Sequence, residues 1–236
     1  LRDVLLEGVN IQWGKKCVGY EESDDGVWAL FDDGTKEFGD LLIGADGINS
    51  PIRKQKVPNL EIFNLGITSV DVEVALPKNM AEKLLAFHNN ALMQRSVGIN
   101  GDAFFSFMRF VPVDQSDEPY YRLGIAFHYP TILDTEDPNS KLVDDDDPKS
   151  VMKHTISRIK QLRPPCELTD LMIDIFSLVP YSDPGEKYPK YPFREYNAPR
   201  RRPLRDVNPL SVEPWKNDRV ILLGDAAHAM NPLLGL

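Results

Sequence analysis

The chain has 236 residues, 42% of them hydrophobic and 27% charged, with a formal net charge of −9 at pH 7. That is an ordinary globular composition, long enough for one large domain or two small ones. The negative balance argues against a nucleic-acid partner held through phosphate contacts. No apolar run approaches the roughly 18 residues of a membrane span, and no secretory signal is visible. Cys17 and Cys166 are the only cysteines, and neither stands in a metal-type Cys-x-x-Cys, so zinc and redox-pair readings fail. A reduced intracellular protein, cytoplasmic, is the expectation. The chain opens on Leu-Arg-Asp-Val-Leu-Leu without an initiator Met and closes on Leu-Leu-Gly-Leu. Both ends read as cut, so a piece of a longer protein is expected.

Residues 1–9 read as the tail of a helix. A three-strand meander follows, over 16–22, 27–31 and 35–38. Its second hairpin turns on Asp32-Asp33-Gly34, where Asp-Gly supplies positive φ. Leu41 to Ile43 read as a buried strand running into Gly44-Ala45-Asp46-Gly47. Ser50 then Pro51 predicts a helix start, with Ser as N-cap and Pro where its missing N–H costs nothing. Arg53 falls on that first turn, and Pro58 limits the helix to about two turns.

From residue 59 to 205 the pattern changes. Residues 64–76 alternate as a strand, and 77–89 read as a helix. The runs 104–111 and 120–129 are two strands of one antiparallel sheet. Residues 130–148 read as a loop, with Asp144 to Asp147 as a solvated charge run, since EF-hand spacing is absent. A helix is predicted over 149–162, with Val151, Ile156 and Ile159 on one face, and a second helix or helix–strand junction over 166–178. Residues 180–209 read as an irregular connection. Its Arg200-Arg201-Arg202 reads as a solvated linker, with a nucleotide phosphate as the alternative. Val220 to Leu223 form a last buried strand, ending in Gly224-Asp225-Ala226-Ala227-His228.

Two apolar strands each ending Gly-(Ala-)Asp, separated by a long block with its own sheet, form the functional signal. A carboxylate at a strand end among small residues suits close backbone approach to a ligand, and ligands of open α/β sheets sit beyond the carboxyl ends of the strands. Leu-Leu-Ile-Gly-Ala-Asp-Gly-Ile-Asn-Ser-Pro-Ile-Arg resembles the Asp-Gly motif of the group A flavoprotein monooxygenases, typified by p-hydroxybenzoate and salicylate hydroxylases. Arg-Val-Ile-Leu-Leu-Gly-Asp-Ala-Ala-His-Ala-Met-Asn-Pro-Leu-Leu-Gly resembles their Gly-Asp motif. The order and separation of the two motifs match as well, and the middle block matches in pattern only.

The resemblance implies a mixed α/β (α+β) fold. It has a partial FAD-binding, Rossmann-like domain of the glutathione-reductase type and an inserted antiparallel-sheet substrate domain. The implied domains are 1–57 and 206–236 for FAD and 58–205 for substrate. It implies that Asp225 accepts a hydrogen bond from the flavin's ribityl chain, with Gly224 letting the backbone pass close and Ala226 beside it. Pro232 would lie beside the isoalloxazine, and Gly235 would open a helix facing its N1–C2=O edge. Asp46 and Gly47 match the motif tied to the FAD pyrophosphate and the nicotinamide nucleotide, and Arg53 matches its basic partner. FAD is the implied cofactor and NAD(P)H the co-substrate. O₂ and a small, aromatic organic substrate are the partners, with oxygen transfer through a flavin C4a-hydroperoxide. No catalytic side chain is singled out, because the flavin carries the chemistry.

His228 reads as structural, and His88, His128 and His154 as surface or packing residues. Phe104, Phe105, Phe107, Tyr120, Tyr121 and Phe127 partly line a substrate cavity in the resembling fold, though core packing is the stronger expectation for each. The Gly-x-Gly-x-x-Gly fingerprint and its ribose-binding acid are absent from these residues, as is a helix after Gly235, so weak or no FAD retention is expected. A flavin reductase or dehydrogenase on the same scaffold, or a non-catalytic truncated product, are the alternatives.

Overall fold

The computed structural model describes residues 2–87, 95–98, 100–101, 103–113, 120–179, 198–215 and 219–230. Its elements in chain order begin with α1 (Arg2–Leu5), β1 (Cys17–Glu22), β2 (Val27–Phe31), β3 (Lys36–Gly39), β4 (Leu42–Gly44) and α2 (Pro51–Lys56). Then come β5 (Ile62–Pro77), α3 (Lys78–Phe87), β6 (Arg95–Val97), β7 (Phe104–Val113) and β8 (Tyr120–Pro130). After these follow α4 (Ile132–Glu136), α5 (Pro148–Leu162), α6 (Glu167–Ser177), β9 (Arg201–Val207), β10 (Val220–Leu222) and α7 (Asp225–His228). The chain divides into one unit of residues 1–64 and 205–236 and a second unit of residues 65–204. The expected cuts were after 57 and 205. The long strand β5 starts at Ile62, so the first division falls inside that strand.

The first unit holds the antiparallel meander β1-β2-β3 and the parallel pair β10-β4. Its core gathers Val27, Ile52, Val57, Val207, Val220 and Leu222, with Ala227 and Ala229. The sequence reads β4 and β10 as buried strands, and the structure buries them on one face. One face packs inward through Val220, Leu222 and Gly44, while Leu41, Ile43, Ile221 and Leu223 on the other are exposed. The pattern of a parallel sheet covered on both sides is met here on one side only.

The second unit is built on a sheet of order β6-β7-β8-β5-β9. Strand alternation supplies its core. Val70, Val72 and Val74 of β5 stand opposite Phe127, Ile125 and Leu123 of β8, and all six are buried. Phe105 joins them, and the layer is closed by Val151, Met152 and Ile159 of α5, Met172, Ile175 and Phe176 of α6, and Ala81 and Leu84 of α3.

Two expectations are corrected. Residues 201–207, read as irregular, form a strand. Proline in a strand is confined to edges and bulges, and β9, which contains Pro203, is the edge of its sheet. Residues 130–148, read as a loop, contain α4 and a 3₁₀ turn, Pro138–Leu142, N-capped by Asp137. The aspartate run is exposed, as the solvated charge run was read, and the arginine run meets it. Arg200 pairs with Asp146 at 2.9 Å, Arg201 pairs with Asp145 at 2.7 Å and with Asp134 at 3.3 Å, and Asp147 caps α5.

Candidate functional site

The site begins with strand register. β4 and β10 run parallel with Leu42 opposite Val220, Ile43 opposite Ile221 and Gly44 opposite Leu222. The ladder continues past the strand end through Leu223 N–H donating to the Gly44 carbonyl at 2.9 Å. Asp46 and Asp225 therefore both leave the sheet at its carboxyl edge, although 179 positions of sequence separate Asp40, just before β4, from Arg219, just before β10. Both carboxylates are exposed.

Local chemistry then turns each chain away from the sheet. After β10, Gly224 takes φ 58° and ψ −142°, a conformation almost restricted to glycine, and a Cβ there would meet only open space. The glycine is needed for backbone shape, and it leaves the space beside Asp225 free of side chain. Asp225 opens α7, and Ala226 is fully buried, so neither its methyl group nor its backbone is open to a ligand in this structure. His228 is exposed. Pro232 and Gly235 lie outside the described residues, as does His88.

After β4, Gly47 has φ 80° and Ser50 caps α2, its hydroxyl accepting from the Arg53 N–H at 2.9 Å. That cap fixes the turn carrying Arg53. Replacing Ser50 with Ala is expected to cost about 1 kcal/mol, read as a lower urea midpoint.

Arg53 is 3% exposed, and its Nη1 has no hydrogen-bond partner. Burial pulls its pKa below the ordinary arginine value, Asp46 opposes this and the charge of Arg205 adds to it. A buried guanidinium with an unsatisfied nitrogen and a second cation nearby is short of negative charge. Arg205 donates to the Asn49 side chain at 3.1 Å. Asp46 and Asn49 also line an open cleft of about 490 Å³, with Lys15, Lys16 and Pro51. Lys15 is committed to Asp33 at 2.7 Å and Thr35 at 2.6 Å.

Sequence reasoning picked out Asp46, Gly47, Arg53, Gly224 and Asp225, and missed Arg205 and Asn49. The available signal was the basic run before the last strand, which extends to Arg205. Among the described residues no group of His, Cys, Asp and Glu could hold a metal ion, and no helix is long and apolar enough to cross a membrane.

The first unit thus carries a parallel strand pair with an acid beyond each strand and a buried, under-satisfied arginine within electrostatic reach of Asp46, and the antiparallel sheet forms a unit of its own. The comparisons with known proteins find flavin enzymes. The FAD-dependent monooxygenase thnD of Trichoderma harzianum is 26% identical over 243 residues, spanning this whole chain and 52% of that protein. A protein solved as an FAD-containing monooxygenase from Photorhabdus luminescens superposes with a TM-score of 0.67 at 25% identity, covering 99% of this chain and 57% of the other. Klebsiella pneumoniae HpxO, solved with FAD and uric acid, shares the fold with a TM-score of 0.62 at 22% identity, covering 98% of this chain and 48% of the other. No family model matches the chain. Along its whole length the chain is similar to FAD-dependent monooxygenases, and it spans about half the length of the curated relatives it matches.

Proposed function

We propose that this chain forms the Asp-Gly and Gly-Asp part of an FAD-dependent monooxygenase that uses NAD(P)H and O₂ to oxygenate a small organic substrate. The observation that carries the reading is the parallel register of β4 and β10, which brings Asp46 and Asp225 to one edge, with the unsatisfied Arg53 within electrostatic reach of Asp46. These residues fit the cofactor. Asp225 would accept from ribityl hydroxyls, and a carboxylate is suited to that because it accepts only. Gly224 would keep the approach clear. Arg53, with Arg205 near it, would meet phosphate oxygens through charge-assisted hydrogen bonds. Pro232 and Gly235 enter through the resemblance alone. Bound FAD would supply the redox chemistry, and the protein would bind, orient and exclude water.

The test is a titration of the purified chain with FAD, followed by flavin fluorescence. Affinity is expected to be weak, since no Gly-x-Gly-x-x-Gly loop stands in these residues. Asp225→Ala is expected to lower it about tenfold, as loss of a hydrogen bond to a charged acceptor does. Equal FAD affinity of the two proteins would remove Asp225 from the site. Oxygen uptake coupled to NAD(P)H oxidation in the holoenzyme tests the activity, and NAD(P)H oxidation without oxygen in the product would point to a reductase.

A further inference from the structure

The helical layer of the second unit carries opposite charges on two neighbouring helices. α5 and α6 pack against each other over one core, and each keeps a face outside. The outer face of α5 bears Lys149, Lys153 and Lys160, all exposed. At about 100° per residue the three fall within an arc of about 40°. α6 bears Glu167, Asp170 and Asp174, also exposed, within an arc of about 60°. α5 contains no acidic residue and α6 no basic one. Each stripe repels itself, because Lys149 and Lys153, and likewise Asp170 and Asp174, stand four apart, where like charges destabilise a helix. Among the described residues, Lys153, Lys160, Glu167, Asp170 and Asp174 make no ion pair. Ile156 and Ile173 are half-buried beside the stripes, and Ile156 lies among the three lysines along an open groove of about 470 Å³.

We propose that this face docks a second copy of the chain, with α6 of each copy lying on α5 of the other about a two-fold axis. A two-fold interface must be complementary to itself. One helix of each sign, side by side, meets that requirement, because the lysines of each copy then face the acids of the other. The basic rim of the groove receives Asp170 and Asp174, and Ile173 beside them meets Ile156. Covering each stripe with the opposite charge also removes the cost of its self-repulsion. The area sets the strength. Helices of 15 and 11 residues, about 10 Å wide with a rise of about 1.5 Å per residue, present a joint face of about 400 Å². A standard interface takes about 800 Å² from each partner. The dimer is therefore weak and reversible, and it depends on charge. Exposed charges are screened beyond about 10 Å at 0.1 M salt and beyond about 3 Å at 1 M, so salt dissociates it. Nothing in this contact draws on the flavin site.

Sedimentation velocity of the chain tests this. Between about 1 and 100 µM protein at about 0.05 M salt, the sedimentation coefficient is expected to rise from monomer to dimer. Raising the salt to about 0.5 M is expected to return it to monomer. Two double variants, each changing only exposed side chains, reverse one stripe apiece: Lys153→Glu with Lys160→Glu, and Asp170→Lys with Asp174→Lys. Each sets like charges face to face and is expected to weaken self-association more than about 100-fold. Mixed in equal amounts, the two variants oppose plus to minus at both contacts again, and a dimer with one copy of each is expected. That recovery would also show that both variants are folded. A parent chain that stays monomeric throughout would overturn the proposal and leave the lysine stripe to a different acidic partner. A dimer indifferent to salt, self-association surviving either reversal, or no recovery on mixing would overturn it equally.

Discussion

Replacing Asp134 with Ala is expected to destabilise the sheet-bearing unit by about 4 kcal/mol, the scale for removing one partner of a buried charge network. The Asp134 carboxylate accepts from the Tyr129 hydroxyl at 2.9 Å, from His154 Nε2 at 2.9 Å and from the Ser140 hydroxyl at 3.2 Å. Arg158 and Arg201 each approach it at 3.3 Å. It thus ties β8, α4, α5 and the edge strand β9 to one buried point. Without it, the buried Arg158 keeps Asp137 at 2.9 Å as its remaining carboxylate, and Tyr129 loses its acceptor. The same carboxylate makes stability depend on pH. Burial alone would raise its pKa, but hydrogen bonds from His154 and Tyr129 and the charges of His154 and Arg201 outweigh that and lower it from 3.8 to about 2. A carboxyl with a depressed folded pKa adds stability that is complete above its unfolded pKa and is lost as pH falls through its folded one. That part is worth about 2 kcal/mol, present at neutral pH and drained between about pH 4 and pH 2. Urea unfolding of parent and variant across that range checks both claims. The gap between the two curves should narrow toward pH 2, and a gap that stays constant would mean the carboxylate acts through packing alone.

The parts of this arrangement differ in how far a sequence can show them. The Ser50-Pro51 start of α2 and the Asp46 and Asp225 strand ends are local patterns, so side-chain chemistry within a few residues specifies them. The core face of β5 is local too, because Val70, Val72 and Val74 repeat at the strand period. β9 is not local. An edge strand needs only one ladder, so it tolerates Pro203 and the successive Arg201 and Arg202 that look like a linker. The meeting of Arg201 with Asp134 and Asp145 depends on the return of the chain across more than fifty residues, and no window of sequence carries it. The aromatic residues show the same limit. Which of Phe104 and Phe105 faces the core is set by register, and the register of β7 shifts between Phe107 and Arg109. The Arg53 result lies between these cases. Its place on the first helical turn is legible, but its burial and the nearness of Arg205 are properties of the folded unit.

Gly44→Val should cost about 3 kcal/mol and weaken FAD binding at the same time. A Cβ on Gly44 would stand 2.9 Å from Cγ2 of Ile52 and 3.1 Å from Cδ2 of Leu222. Both neighbours are themselves buried, so neither can swing into solvent, and overpacking a filled core costs about 1–3 kcal/mol. Valine brings two further methyl groups into that contact and belongs at the upper end. The contrast with Gly224 is informative. There a Cβ has open space and only φ objects, whereas at Gly44 the backbone is permissive and space objects. Relief at Gly44 requires α2 to lift from β4. Ile52 is the neighbour of Arg53, so the same motion displaces the guanidinium from its place within reach of Asp46. Urea unfolding and FAD titration of one variant then report two separate quantities. A parent-like urea midpoint would mean that α2 shifts freely on the sheet. A lowered midpoint with parent-like FAD affinity would mean that Arg53 is not held for the cofactor by this packing. The expected result is a fall in both, with Gly44→Ala showing the same pair of changes at a smaller size.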